Sequence, residues 1–422
     1  MDETYDVVVC GAGLAGLTAA AVAARAGARV ALVEPHRAGG RARSETRDGF
    51  TLNLGPHALY RGGAAERVLD ALGVAVHGGY PADLRGQRLL VDGRSEQAPV
   101  SPATLLRSGA VGWRGRVALG RVLNAAQRAE PAALADVSVA AWFDRFGLEG
   151  TPRRVAEAFV RLMTYADAPD LLSAEAFVTQ LQLGAVRYLD GGWQTMVDGL
   201  AAAGAAAGVV ARTANVAAVR HDGDELVVQT AAGDLRAASV VLAVGGPEAA
   251  ARLAGLSDAW VASAGPASAM ACLDLGLRRA LPGPWFLHGV DEPLYFAQQA
   301  PPAGLAPDGG GVAAVGRYLA PGERPEAAAT RAQLLAHAAR AGVEPDNVGV
   351  ERYLHHMVTA HGMPLAARGG FAGRPAVAVP GRPGLFVAGD YVGGEGLLAD
   401  AAFASGERAG RLAAAHRVAV AA

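Results

Sequence analysis

The chain has 422 residues, 51% of them hydrophobic and 18% charged, with a formal net charge of −2. That length allows one large domain or two interleaved ones around a sizeable core. The near-neutral balance gives no reason to expect nucleic acid or an anionic membrane as partner. All 38 basic residues are arginine. Cys10 and Cys272 lie in apolar runs without metal-ligand spacing, so neither a disulfide framework nor a metal site is expected. The start, MDETYDVVV, is acidic and leads directly into a strand, with no basic region or apolar signal core. No apolar stretch is long enough to span a bilayer. The expectation is a cytoplasmic protein, with peripheral membrane contact left open.

Residues 5–10 (YDVVVC) read as a buried parallel strand. Gly11, Gly13 and Gly16 follow in G-x-G-x-x-G spacing. A small, helix-prone run over 12–26 comes next, then a strand over 29–33 that ends at Glu34. Strand, glycines, helix, strand and acid in this order suit a dinucleotide better than an ordinary turn. Gly11 makes the tight turn, Gly13 lets backbone approach a pyrophosphate, and Gly16 lets helix and strand pack closely. The helix N-terminus faces the phosphates, and Glu34 can accept ribose hydroxyls. Gly39-Gly40-Arg41-Ala42-Arg43-Ser44 adds a second glycine pair and two guanidiniums, whose planar forks match phosphate.

Beyond this, residues 50–54 read as a strand, Gly55-Pro56-His57 as a turn and 64–72 as an amphipathic helix. Residues 84–91 read as a strand pair turning near Arg85-Gly86-Gln87. From 101 to 184 the period is helical, with Ser138 as an N-cap and Thr151-Pro152 and Ser173 as helix starts. Such a block is too long for a connecting loop. Its Trp142, Phe143, Phe159, Met163, Tyr165 and Phe177 read either as plain core or as the wall of an apolar tunnel. Tyr188 to Trp193 carries a glycine pair before a helix over 196–207. Strand chemistry then returns over 209–212, 216–221, 226–230 and 237–244, and again over 267–276, 286–290, 294–299, 311–319 and 348–357. Residues 325–341 read as a helix. Tyr295, Gln298, Tyr353 and His361 are candidates to reach a pocket. A last strand over 384–388 runs into Gly389-Asp390, a glycine-rich turn and an alanine-rich helix over 397–414.

The GGRARS segment and the closing stretch LFVAGDYVGGEGLLADAAFASGERAG resemble the FAD-dependent amine oxidase and phytoene desaturase superfamily. The resemblance spans nearly the whole chain and is closest to bacterial phytoene-dehydrogenase-like flavoproteins, relatives of carotenoid and squalene desaturases. It implies a glutathione-reductase-like α/β FAD domain interleaved with a substrate domain of mixed sheet plus helical insertion. The implied divisions are 1–75, 191–260 and 376–422 for the FAD domain, and 76–190 and 261–375 for the substrate domain. It implies non-covalent FAD held by Gly11, Gly13, Gly16, Glu34, Gly40, Arg41, Arg43, Gly55, Pro56, Val216, Gly389, Asp390, Gly396, Leu397 and Leu398. In that picture the Val216 backbone contacts adenine, Asp390 accepts ribityl hydroxyls, and the last helix N-terminus stabilises charge on the reduced ring. His57 and Tyr60, in NLGPHALY, are the candidate catalytic residues; the alternative for His57 is a turn histidine bonded to backbone.

Amine oxidases of this superfamily commonly hold a water against the flavin with a lysine, which this chain lacks. It also has no cysteine in the closing motif for a covalent flavin bond. Both features favour the desaturase branch. The expected activity is oxidoreduction across a C–C bond of an apolar, isoprenoid or polyene substrate, with no electron acceptor specified. The alternative is oxidation of a C–N or C–O bond in a smaller metabolite. A third reading is a flavin-free lipid-binding relative like the prenyl-protein escort factors. The intact glycine triplet, Glu34, Arg41 and Asp390 speak against that.

Overall fold

The computed structural model describes residues 3–81 and 86–421. Two seven-stranded sheets organise the chain. The first runs Val210–Arg212, Val30–Val33, Glu3–Cys10, Leu235–Leu242, Glu225–Thr230, Val216–Asp222 across the sheet. Its centre is parallel: Glu3–Cys10 lies between Val30–Val33 and Leu235–Leu242. The outer half of Leu235–Leu242 pairs with Glu225–Thr230, and its inner half with Leu385–Val387 from the far end of the chain. Continuous apolar runs form these strands because both faces are covered. On one face the Leu14–Arg25 helix packs against the C-terminal Ala399–Ala421 helix. Small residues permit that approach: a Cβ on Gly406 would stand 2.4 Å from Ala15 O, and one on Gly410 2.5 Å from Ala19 O.

The second sheet runs Val348–Ala360, Ser268–Leu277, Gly311–Leu319, Leu294–Ala300, Phe286–Gly289, Gln87–Val91, Arg94–Gln97. It is antiparallel except where Phe286–Gly289 meets Gln87–Val91. Every residue of Ser268–Leu277 is buried, so this strand is the spine of the second sheet. The five helices Pro102–Arg107, Trp113–Arg128, Val139–Asp144, Gly150–Thr164 and Ala174–Leu183 form the expected insertion. Ser138 and Ser173 cap two of them through their hydroxyls.

The hairpin before the insertion differs from its expected register. The turn is at Asp92-Gly93, between Gln87–Val91 and Arg94–Gln97, not near Arg85-Gly86-Gln87. Residues 84 and 85 lie outside the described residues. Asp92 and Gly93 both have positive φ, 48° and 73°, as a tight Asp-Gly hairpin turn requires.

Candidate active site

The glycine loop leaves the carboxyl end of Glu3–Cys10 at the switch between Val30–Val33 and Leu235–Leu242. Gly11 has φ +101°, and a Cβ there would stand 2.3 Å from Ala243 O. A Cβ on Gly16 would stand 1.9 Å from Gly11 O. Neither position admits a side chain. Gly13 is the opposite case, with nothing within 4 Å of a Cβ placed there. It caps the Leu14–Arg25 helix in an extended conformation, and no side chain bonds the helix N-terminus. An open helix N-terminus lined by a bare backbone fits a pyrophosphate. Gly40 sits over this loop: a Cβ on it would reach 3.8 Å from Gly13 Cα. Glu34 accepts from Ala12 N at 2.9 Å and His36 N at 3.0 Å, which fixes its carboxylate beside the loop. Glu34 N–H donates to Arg212 O, four residues before Val216, which begins the next strand.

Arg41 makes two contacts within the chain. Its guanidinium donates to Thr359 O at 2.8 Å and to Asp390 Oδ2 at 2.9 Å. It therefore ties the glycine loop to the end of Val348–Ala360 and to the C-terminal Gly-Asp pair. Arg43 is exposed and, among the described residues, bonds only Gly40 O, through Nε. Asp390 is 4% exposed and also accepts from the His361 backbone N–H and ring Nδ1–H. Burial pulls its pKa up, but Arg41 and His361 outweigh that and hold it well below the usual carboxylate range. Asp390 is thus a fixed anion with hydrogen-bond acceptor capacity at the centre of the site.

After Asp390, the loop reaches the last helix through Gly396, Leu397 and Leu398. Leu398 has φ +55°, a left-handed conformation that a leucine seldom adopts. Leu397 is buried in the core of the helical insertion, and Leu398 packs against that core. Arg374 holds the loop from below, donating to the carbonyls of Asp390, Glu395 and Gly396. The sequence reading passed over Arg374.

The segment carrying the candidate catalytic residues is clamped from two sides. Asn53 Oδ1 accepts from Ser44 Oγ and from Trp193 N, which fastens the Gly191-Gly192 segment to it. On the other side stands a buried ion pair. Arg352 donates through Nε and Nη2 to Asp274, at 3.1 and 2.7 Å, and also to Asn53 O. Gly55 N–H donates to the same carboxylate at 3.3 Å. Burial raises the Asp274 pKa to about 6 in spite of Arg352. Neither member of this pair was singled out from sequence; they lie on neighbouring strands but 78 residues apart.

His57 packs edge-on against Trp193, with ring centroids 4.6 Å apart. Its Nδ1 lies 3.1 Å from Gly55 O, which can only accept, so Nδ1 carries the proton. Burial drives its pKa down to about 4, leaving a neutral ring with its lone pair on Nε2. The turn-histidine bond and an available base therefore coexist in one residue.

Tyr60 faces a separate space, a cavity of about 550 Å³ between the helical insertion and the second sheet. Leu119, Val122, Phe159, Met163 and Phe177 form its helical wall, and Tyr60, Tyr165, Tyr188 and Tyr295 its inner end. Arg61, Tyr80, Gln87 and Gln127 are its polar or amphipathic members, and among the described residues no Asp or Glu lines it. Tyr165, a left-handed cap at φ +58°, brings its hydroxyl 3.5 Å from Pro56 O, so the cavity ends beside the clamped segment. Of the tunnel candidates, Phe159, Met163, Tyr165 and Phe177 line the cavity, while Trp142 and Phe143 belong to the core. Of the strand candidates, only Tyr295 reaches it. Gln298 is buried against Leu281 and Pro284, Tyr353 donates to Ala327 O, and His361 serves Asp390. His57 does not line the cavity.

A glycine loop at the end of a parallel strand, an anion delivered by the far end of the chain and a largely apolar cavity together define a flavoprotein oxidoreductase. The model for flavin-containing amine oxidoreductases matches residues 14–413, and the chain belongs to that family; its cofactor is FAD. The fold is similar to that of a putrescine oxidase double mutant, at 18% identity and a TM-score of 0.75, covering 99% of this chain and 100% of that one. It is also similar to cyclohexylamine oxidase from Brevibacterium oxydans, at 18% identity and a TM-score of 0.69, covering 99% and 100%. An oxidoreductase from Methanosarcina mazei gives 19% identity and a TM-score of 0.70, covering 96% and 99%. No curated protein sequence matches the chain. Among the described residues no helix is long and apolar enough to cross a membrane, and no cluster of His, Cys, Asp or Glu could hold a metal ion.

Proposed function

We propose that this FAD-dependent oxidoreductase adds or removes hydrogen across a C–C bond of an uncharged, apolar substrate, an isoprenoid or polyene chain. The observation that carries this reading is the cavity: large, walled by helices on one side, and lined by no carboxylate among the described residues. An ammonium group placed there would lose its hydration with no anion among the described lining residues to replace it. FAD supplies hydride acceptance or donation when bound. The protein's own part is to place and to dry. Aliphatic and aromatic walls bury an apolar chain, and the tyrosine-rich inner end brings it to residues 53–57, fixed by the Asp274–Arg352 clamp. Neutral His57 can take a proton on Nε2, and Tyr60, whose pKa burial raises, stays a hydroxyl donor. FAD is held without a covalent bond, by the Gly11–Gly16 loop, Glu34 and Asp390.

A second reading, oxidation of an amine, draws on the tyrosines at the inner end of the cavity, whose ring faces could accept a cation. The names of the putrescine and cyclohexylamine oxidases point the same way. Mass spectrometry of everything released on denaturing the purified protein separates the two. The expected result is intact FAD, an unmodified polypeptide and, where a ligand co-purifies, an apolar molecule without an amine. Recovery of an amine or polyamine would favour the second reading.

A further inference from the structure

The charge of the whole chain conceals a local imbalance. Between residues 98 and 129 stand Arg107, Arg114, Arg116, Arg121 and Arg128 and not one Asp or Glu. Arg116 turns inward, donating to Ser108 O at 2.6 Å and Val111 O at 3.2 Å. The other four are exposed, and their guanidiniums have no hydrogen-bond or ion-pair partner among the described residues. Arg114, Arg121 and Arg128 recur every seven residues on the Trp113–Arg128 helix, so they form one stripe. Glu96, partly buried against Gly109, is a carboxylate that reaches this region from a neighbouring strand.

The same two helices expose large apolar side chains. Trp113 is 68% exposed and Leu106 60%, the two most exposed large hydrophobic residues described. Tyr80, 38% exposed, stands at the cavity wall. Leu119, Val122 and Leu123 line the cavity from the side of the Trp113–Arg128 helix away from the arginine stripe. Exposed Trp and Leu beside unpaired arginines is the composition of a surface that lies in a bilayer interface.

We infer that the Pro102–Arg107 and Trp113–Arg128 helices form a docking face for an anionic lipid bilayer. Trp113 and Leu106 enter the interface, while Arg107, Arg114, Arg121 and Arg128 meet the lipid phosphates. The face then places the cavity wall next to a reservoir of apolar molecules, which is how the inference bears on the proposed substrate class. An anionic bilayer fits better than nucleic acid because the arginines flank exposed aliphatic and indole groups rather than a polar groove.

The test is sedimentation of the holoenzyme with vesicles of phosphatidylcholine alone or mixed with phosphatidylglycerol, in the absence of substrate. The expected result is binding to the mixed vesicles, weakened by salt and weaker on phosphatidylcholine alone. Two variants, Arg114→Gln/Arg121→Gln/Arg128→Gln and Trp113→Ala/Leu106→Ala, should each lower affinity at least ~10-fold, by the sum of several interfacial contacts. Their melting temperatures and flavin spectra should stay at wild-type values. Failure of the wild type to bind mixed vesicles at low salt, equal binding by both variants, or equal binding to RNA would overturn the inference. Because no substrate is involved, failure here leaves the C–C reading standing. Failure of every polyene to react, with vesicle binding intact, would sink only the substrate reading.

Discussion

In the cofactor half of the molecule the decisive atoms belong to the backbone; in the cavity half they belong to ordinary side chains. Gly11 and Gly16 act by lacking a Cβ, since the carbonyls of Ala243 and Gly11 fill the space one would need. Such constraints narrow each position to one residue type, so they leave a pattern in the sequence. The cavity wall needs only aliphatic and aromatic groups that any core could use. Phe159 lines the cavity and Phe143 does not, yet both are phenylalanines on insertion helices. The difference teaches that the cofactor is written in spacing, whereas the substrate is written in the three-dimensional arrangement of otherwise common residues.

The largest expected effect tests whether the two halves are joined as described. Arg352→Met leaves Asp274 buried without its cation and should lower stability by ~3–5 kcal/mol in urea unfolding. Asp274→Leu combined with Arg352→Met should recover much of that loss. A single-variant cost below ~1 kcal/mol would mean that the clamp on residues 53–57 is not structural. Next comes His57→Ala, which should keep the flavin spectrum and lower kcat by ~10²–10⁴-fold if the ring handles a proton. In the wild type the acid limb of kcat/KM should fall near pH 4, following the depressed pKa, rather than near the ordinary histidine value. Unchanged turnover would remove His57 from the chemistry.

Gly16→Ala should cost about 1–3 kcal/mol by overpacking and should also release FAD, read as a fall in the flavin-to-protein absorbance ratio. A variant that stayed yellow and stable would show the loop to be more tolerant than its geometry allows. The last prediction concerns His288, which is 3% exposed and whose pKa burial lowers to about 3. The unfolded chain binds its proton near pH 6.5 and the folded chain does not until about pH 3. Stability from this residue is therefore complete above the unfolded value and is lost as pH falls, at up to ~1.4 kcal/mol per pH unit. His288→Phe should flatten the decline of melting temperature between pH 7 and pH 4.

Most strands and helices were legible in the sequence because apolar runs, glycine turns and serine caps each act locally. The hairpin at Asp92-Gly93 was legible in principle, since Asp-Gly between two apolar strands is a strong turn signal; the competing glycine at position 86 drew the turn earlier. The contacts that Arg41 makes within the chain could not be read from the sequence. Its residue type suits phosphate, but its actual partners, Thr359 and Asp390, lie 318 and 349 residues away. The Asp274–Arg352 pair and the Arg374 buttress were hidden for the same reason, because an ion pair between strands leaves no periodicity. The surface of the Trp113–Arg128 helix shows a related effect: a net charge of −2 over the chain averaged away a segment with five arginines and no acid.

We propose that a cavity with no acid among its described lining residues, beside a bipartite FAD site, selects an uncharged apolar substrate. Anaerobic mixing of the holoenzyme with neutral polyenes and with primary amines, followed by flavin absorbance, tests it most directly. The account predicts that a polyene reduces the oxidised flavin, or reoxidises the reduced one, while amines leave both forms unchanged. Bleaching by an amine, with every polyene inert, would contradict it.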